Sequence, residues 1–211
     1  MKTLEAVVFD LGKVLVDFDY GIAATSIMAR CDGRGCDLKK LIDQSDLLIR
    51  YETGLLTTEG FFAEVRDASG FLGDVAEFGP LFGNIFTMID SMVAFNEALR
   101  ARDIPTYIFS NTNELAIASI RERFPFFQNF TDFVFSYEHR SMKPDAKIYE
   151  VVERVCGKHG DAILYIDDRL ENIEAGAKRG WQTIHHLSPE TTLQRAKALG
   201  LPAGGGLRFE V

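Results

Sequence analysis

The sequence predicts an α/β fold, a Rossmann-like parallel sheet in three layers with an inserted helical module, and three observations lead to it. Short apolar runs rich in β-branched residues recur, and most end in a polar or acidic side chain. Patterns of helical period lie between them, and strands that alternate with helices imply a parallel sheet covered on both faces. The stretch from about Asp17 to Ile85 breaks this alternation and contains no convincing strand, so it reads as an insertion.

The elements follow in order. Leu4 to Asp10 is the first apolar run, closed by a carboxylate and then Gly12. The insertion reads as helices over Ile22 to Arg30, Leu38 to Arg50 and Thr58 to Ala68, with another around Val75 to Phe86; Gly54, Gly60, Gly70 and Gly73 punctuate it. Ser91 to Arg102 places Met92, Phe95 and Leu99 on one helical face, ahead of a strand over Ile104 to Ser110. A helix over Glu114 to Phe124 leads to a short strand at Phe133 to Phe135. Asp145 to Val155 follows Pro144 as a helix carrying Ile148, Val151 and Val152, and precedes the run Ala162 to Asp168. Glu171 to Arg179 ends at Gly180, a weaker strand covers Trp181 to His185, and a last helix over Thr191 to Leu199 ends at Gly200. The tail from Gly204 reads as a flexible end. The expected organisation is a core of residues 1–16 and 86–211 with a helical cap of residues 17–85.

Length and composition bound the function. The 211 residues suit a single domain with an insertion, and 46% hydrophobic with 26% charged residues is an ordinary globular composition. A formal charge of -8 and a pI near 5.1 argue against nucleic acid as the partner, because a phosphate backbone needs a basic footprint. A small phosphorylated metabolite needs only a local positive site. No apolar run approaches the ~20 residues of a membrane span, and the N-terminus has no signal-peptide layout. Cys31, Cys36 and Cys156 form no zinc pattern and read as reduced cytoplasmic thiols. Oligomeric state has no signal in the sequence.

Four polar stations sit at or just beyond strand ends, the rim where open parallel sheets bind ligands. Asp10 taken alone is a turn or capping aspartate; with the other stations it is a carboxylate able to attack phosphorus and form an acyl-phosphate. Ser110 and Asn111 can bind phosphoryl oxygens, or cap the following helix. Lys143 taken alone is a surface lysine; at this rim its ammonium can neutralise both a phosphate and Asp10. Asp167 and Asp168 are costly to place at a buried strand end without a cation. Mg²⁺ takes oxygen ligands and one or two carboxylates. That suits Asp10 and Asp168 as direct ligands, with Asp167 acting directly or through water, and Asn172 placed to orient them.

In this order the segments Val8 to Asp17, Phe109 to Asn113, Met142 to Asp145 and Tyr165 to Asp168 resemble the signature motifs of the haloacid dehalogenase superfamily over about residues 4–186. The similarity is nearest to its glucose-1-phosphatase-like branch. The resemblance implies a phosphatase for phosphoric monoesters that uses Mg²⁺ and an aspartyl-phosphate intermediate. Asp10 would be nucleophile and metal ligand, the Gly12 carbonyl a second ligand, and Asp168 would complete the metal site. Ser110 and Lys143 would hold the phosphoryl group, with the insertion as the cap over substrate.

The chain departs from the superfamily pattern at Gly12, where most phosphatases of this kind carry a second aspartate as general acid and base. Asp17 and Asp19 are near in sequence but suit capping of the first insertion helix better. The alternatives are a 2-haloacid dehalogenase-type hydrolase, which needs no metal, and a non-catalytic phospho-ligand-binding relative. A two-component receiver domain is excluded by order, since its acidic pair precedes the phosphorylated aspartate. His185 and His186 read as an ordinary strand-end pair, and Phe18, Tyr20, Tyr51, Phe61 and Phe62 as packing with some pocket lining.

Overall fold

The computed structural model describes residues 4–33, 35–43 and 45–202. The tail read as a flexible end, from Gly204 onward, lies outside the described residues. The strands are β1 (Ala6–Phe9), β2 (Val16–Phe18), β3 (Phe86–Met88), β4 (Thr106–Ser110), β5 (Asp132–Phe135), β6 (Ile163–Asp167) and β7 (Gln182–His185). The helices of the insertion are α1 (Tyr20–Met28), α2 (Leu38–Ile42), α3 (Asp46–Glu52), α4 (Thr58–Ser69) and α5 (Val75–Gly83). Those that follow are α6 (Asp90–Arg100), α7 (Glu114–Arg123), α8 (Ser136–His139), α9 (Ala146–Cys156), α10 (Leu170–Lys178) and α11 (Pro189–Ala198).

β5, β4, β1, β6 and β7 form a parallel sheet in that order, with β1 at the centre between β4 and β6. The period of two along each strand divides its side chains between the faces. Val7, Phe9, Ile108, Leu164 and Ile166 join the core layer that continues into the insertion. Ala6, Val8, Tyr107, Phe109, Ile163 and Tyr165 pack on the other side against Ile148, Tyr149 and Val152 of α9. All four residues of β1 are fully buried, as a central strand with both faces covered requires.

The insertion is mainly helical, and its helices start where their caps stand. Asp19 accepts from Gly21 N at α1, and Thr57 accepts from Gly60 N at α4. Asp74 and Glu77 form a reciprocal capping box at α5. Two expectations need correction. The single helix read over Leu38 to Arg50 is divided into α2 and α3, because Asp43 is extended and Ser45 caps a new start by accepting from Leu48 N. A strand pair was also missed. β2 and β3 form an antiparallel ribbon, Val16↔Met88 to Phe18↔Phe86, where the insertion leaves and rejoins the core. Each has three residues, too few to show a period of two.

The aromatic residues of the insertion mostly build its core. Tyr51 stacks on Phe61 at 4.5 Å, Phe61 meets Phe82 at 5.1 Å, and Phe62 meets Phe78 at 5.3 Å. The end of α3 is fastened to the sheet domain. Tyr51 Oη accepts from Leu115 N at 3.2 Å, Ser136 Oγ donates to the Glu52 carbonyl at 2.5 Å, and Thr53 Oγ1 lies 2.7 Å from Met142 Sδ. Gly54 follows at φ 70°, and a Cβ there would stand 2.1 Å from the Tyr137 carbonyl oxygen, so only glycine fits.

Candidate active site

The predicted stations converge at the carboxyl rim of the sheet. Asp10 follows β1 and its N–H donates to the Ile166 carbonyl at 2.8 Å, which continues the strand pairing by one residue. Its Oδ1 accepts from Leu11 N at 2.7 Å and from Lys143 Nζ at 2.8 Å. Lys143 is buried, and its ammonium also donates to Asp167 Oδ2 at 2.7 Å and to the Phe109 carbonyl at 2.9 Å. Asp10, Asp167 and Asp168 each offer an oxygen within 4.8 Å of the others.

The neighbours of these groups sort them by role. Asp167 is fully buried, and its oxygens accept from Lys143, from the Tyr165 hydroxyl, from Arg169 N at 2.8 Å and from Asn172 Nδ2 at 3.0 and 3.2 Å. A carboxylate has about four lone-pair sites, and here the protein fills them. Burial alone would raise the Asp167 carboxyl, but the Lys143 ion pair and the hydrogen bonds hold it below the usual carboxylate range. Asn172, in the first turn of α10, donates to both oxygens of Asp167, one of the two carboxylates it was expected to orient. Asp168 is half-buried and faces the cavity, and His185 Nε2 lies 2.9 Å from its carbonyl oxygen.

Asn111 clamps the lysine loop. Its Oδ1 accepts from Lys143 N at 2.8 Å and its Nδ2 donates to the Lys143 carbonyl at 3.0 Å, so its side chain is engaged with protein. Ser110 ends β4 and is buried beside it, with Oγ 3.3 Å from the Asn111 carbonyl. The cap of α7 is Asn113, which accepts from Ala116 N, so Ser110 is not needed for capping.

The charge count is unbalanced. Three carboxylates face one ammonium in a buried cluster. Burial pushes the Asp10 carboxyl up to about 8 against the pull of Lys143, with Asp167 and Asp168 adding to the rise. Burial, then Asp167, raises Asp168 as well. Burial disfavours the lysine charge, yet Asp10 and Asp167 outweigh it and raise Lys143. A divalent cation between Asp10 and Asp168 would relieve this excess, and the all-oxygen donor set suits a hard ion such as Mg²⁺.

A cavity of about 760 Å³ opens above the cluster, lined by Asp10, Gly12, Lys143 and Asp168 from the sheet domain and by Asp19, Tyr20, Leu48 and Glu52 from the insertion. A recess of about 50 Å³ continues from it beside Gly12, Ser110 and Asn113. At Gly12 a Cβ would stand 2.9 Å from Phe18 Cε1, so the Phe18 ring fills the space that a longer side chain would take. Asp17 pairs with Lys13 and Asp19 caps α1, so both are engaged. His186 bonds Thr192 away from the cluster.

Sequence reasoning missed Glu52. It lines both the cavity and the recess, and burial pushes its carboxyl up to about 8, with the Asn113 side chain and Arg169 pulling the other way. Its local sequence, Tyr51-Glu52-Thr53-Gly54, carries no motif; only the tertiary fold brings it to the site.

The chain is 26% identical over 95% of its length to mouse acyl-CoA dehydrogenase family member 10, and spans about 20% of that larger protein. Its fold resembles a haloacid dehalogenase family enzyme of Bacteroides thetaiotaomicron solved with magnesium and inorganic phosphate, at TM-score 0.75 and 21% identity over 86% of this chain and 93% of that one. It also resembles L-2-haloacid dehalogenase of Xanthobacter autotrophicus, at TM-score 0.62 and 20% identity over 94% and 84% of the two chains. Among the described residues no helix is long and apolar enough to cross a membrane. The family model that matches residues 4–180 covers β1 to β6, the insertion and all four stations, and the chain belongs to the haloacid dehalogenase-like hydrolases.

Proposed function

We propose that the chain is a Mg²⁺-dependent phosphatase that hydrolyses a small phosphorylated metabolite, such as a sugar phosphate, through an aspartyl-phosphate on Asp10. The observation that carries it is the Asp10–Lys143–Asp167 cluster with Asp168 open to the cavity. Asp10 is fixed through Oδ1 by Leu11 N and Lys143, and its carboxylate is the group that attacks phosphorus. Lys143, fixed by Asp167 and Asn111, offsets charge on the phosphoryl oxygens, and the Ser110 hydroxyl donates to one of them. Asp10, Asp168 and the Gly12 carbonyl would hold Mg²⁺, which supplies charge neutralisation at the transferring phosphoryl group. Asp167 stands behind them as the residue that orients Lys143.

In this reading residues 17–85 act as a cap over the core of residues 1–16 and 86–211, and exclude bulk water from the reaction. Kinship with the glucose-1-phosphatase-like branch and a cytoplasmic location belong to the same proposal. Support comes from the Gly12 that this branch shares and from the free thiols of Cys31, Cys36 and Cys156. The test is phosphate release from a panel of phosphorylated metabolites with Mg²⁺, with and without chelator. A second reading, a haloacid dehalogenase, is favoured by the missing carboxylate at Gly12 and by the likeness to the Xanthobacter enzyme. Halide release from 2-haloacids that persists in excess chelator would decide for it.

A further inference from the structure

We infer that Glu52, carried by α3 of the insertion, is the general acid and base that this chain uses in place of the aspartate absent at Gly12. The inference rests on the phosphatase reading above. The recess is lined by Gly12, where the missing aspartate would stand, and by Ser110, and it lies beside the cavity that Asp10 lines, so a proton donor for the leaving oxygen belongs there. Glu52 lines that recess and the main cavity together. The other nearby carboxylates do not meet the requirement. Asp17 is paired with Lys13 and Asp19 is spent on capping α1. Asp43 lines the main cavity and not the recess.

Glu52 is also held in place. The residues on either side of it are tied to the sheet domain, Tyr51 by its bond with Leu115 N and Thr53 by its contact with Met142, and its own carbonyl accepts from Ser136. Tyr51 is further fixed by Thr58 at 2.7 Å and by stacking on Phe61. An acid carried on a freely moving lid would meet the substrate only in part of its motion; this one is fastened to the same strand-end loops that hold Ser110 and Lys143. Around its carboxyl group stand the Asn113 amide, Arg169 from the loop after β6, and Tyr20 of α1. Burial raises the Glu52 carboxyl, the direction that a general acid needs before the first step.

The steps balance. The Asp10 carboxylate forms a bond to phosphorus as the bond from phosphorus to the ester oxygen breaks, and Glu52 gives its proton to that oxygen, which leaves as the alcohol. Glu52 is then a carboxylate. It takes a proton from water as that water attacks the aspartyl-phosphate, inorganic phosphate leaves, and both carboxyl groups return to their starting states.

Leaving-group dependence tests this. Wild type, Glu52→Gln and Asp10→Asn are assayed with Mg²⁺ on p-nitrophenyl phosphate and on alkyl phosphates. Glu52→Gln should lose about 10²-fold or more in kcat/KM on alkyl esters, the usual size of an acid–base contribution. It should lose far less on p-nitrophenyl phosphate, whose leaving oxygen needs no proton, and this substrate also reports that the variant is folded. On that substrate kcat should still fall, with a burst of p-nitrophenol, because the second step lacks its base. Glu52→Asp should recover part of the alkyl-ester loss. An equal loss on every ester, or none, would overturn the role of Glu52 while leaving the phosphatase reading intact. Failure of the wild type to release phosphate from any ester would remove both.

Discussion

Replacing Lys143 by methionine keeps most of the side-chain volume and removes the ammonium from the carboxylate cluster. In the folded protein that ammonium is bonded to Asp10, Asp167 and the Phe109 carbonyl, and the residue is only 6% exposed. Breaking a buried ion pair by removing one partner costs about 3–5 kcal/mol, because the other charge is left uncompensated. Here two carboxylates lose their partner, so the upper part of that range is expected at pH 7.5. A protein of this size loses about 2–4 °C in Tm per kcal/mol, which gives a fall of roughly 8–20 °C. The sign of the pH dependence is set by Asp167. Its folded carboxyl lies below its usual value, so its contribution is present above the unfolded pKa and is lost as pH falls through the folded one. In the variant the uncompensated carboxylates take up protons at higher pH instead. The stability gap between wild type and Lys143→Met should therefore narrow from pH 7.5 toward pH 4, as read by urea unfolding. Added Mg²⁺ should narrow it too. A gap below about 1 kcal/mol at pH 7.5, the scale of an exposed pair, would refute the argument that this lysine neutralises a buried cluster.

Other expectations follow from the same geometry. Asp10→Asn should abolish phosphate release while leaving the unfolding midpoint at or above that of wild type, since it removes one charge from an overloaded cluster; residual wild-type turnover in a purified sample would contradict the nucleophile. Asp168→Asn should raise the Mg²⁺ concentration needed for half-maximal activity sharply, which a metal titration reads directly. Gly12→Asp alone should lower activity, because its Cβ meets Phe18 at 2.9 Å, and Gly12→Asp with Phe18→Ala should recover part of the loss; equal activity of the single and double variants would count against that contact. Glu52 has a raised carboxyl, so its contribution to stability is full below about pH 4.5 and is lost as pH rises toward 8. Glu52→Gln should accordingly gain stability on wild type as the pH is raised from 5 to 8.5, measured by thermal unfolding at each pH.

What could be read in the sequence divides along the range of the interactions. The three inner strands β1, β4 and β6 were legible because each is a largely apolar run buried on both faces, and Asp10, Ser110 and Asp167 were legible because they stand at the ends of such runs. The ribbon of β2 and β3 was not, since its pairing joins residues about seventy positions apart through strands of three residues. The break between α2 and α3 turns on one serine cap, which a count of apolar positions overlooks. Asn111 was read with Ser110 as a strand-end station offering a hydroxyl and backbone N–H groups to a phosphoryl group; what had no sequence signal is that its side chain holds the backbone of Lys143, a contact across thirty-two residues. Glu52 had no local signal at all, because what marks it is burial, and burial belongs to the tertiary fold.

The two aspartates of the adjacent pair end in opposite positions, and this follows from the strand itself. Successive residues of a strand point to opposite sides, so Asp167, the last residue of β6, turns into the layer between Tyr165, Lys143 and Asn172, while Asp168 turns toward the cavity. Asp167 can stay charged while fully buried because protein donors fill its lone pairs. At Asp168 burial and the charge of Asp167 outweigh Lys143 and the local hydrogen bonds, and its carboxyl is raised. The pair therefore separates two tasks that a single carboxylate could not perform together. One fixes the lysine that Asp10 needs, at a cost that the surrounding hydrogen bonds offset. The other faces the cavity beside Asp10, where the proposed cation would take its oxygen as a ligand.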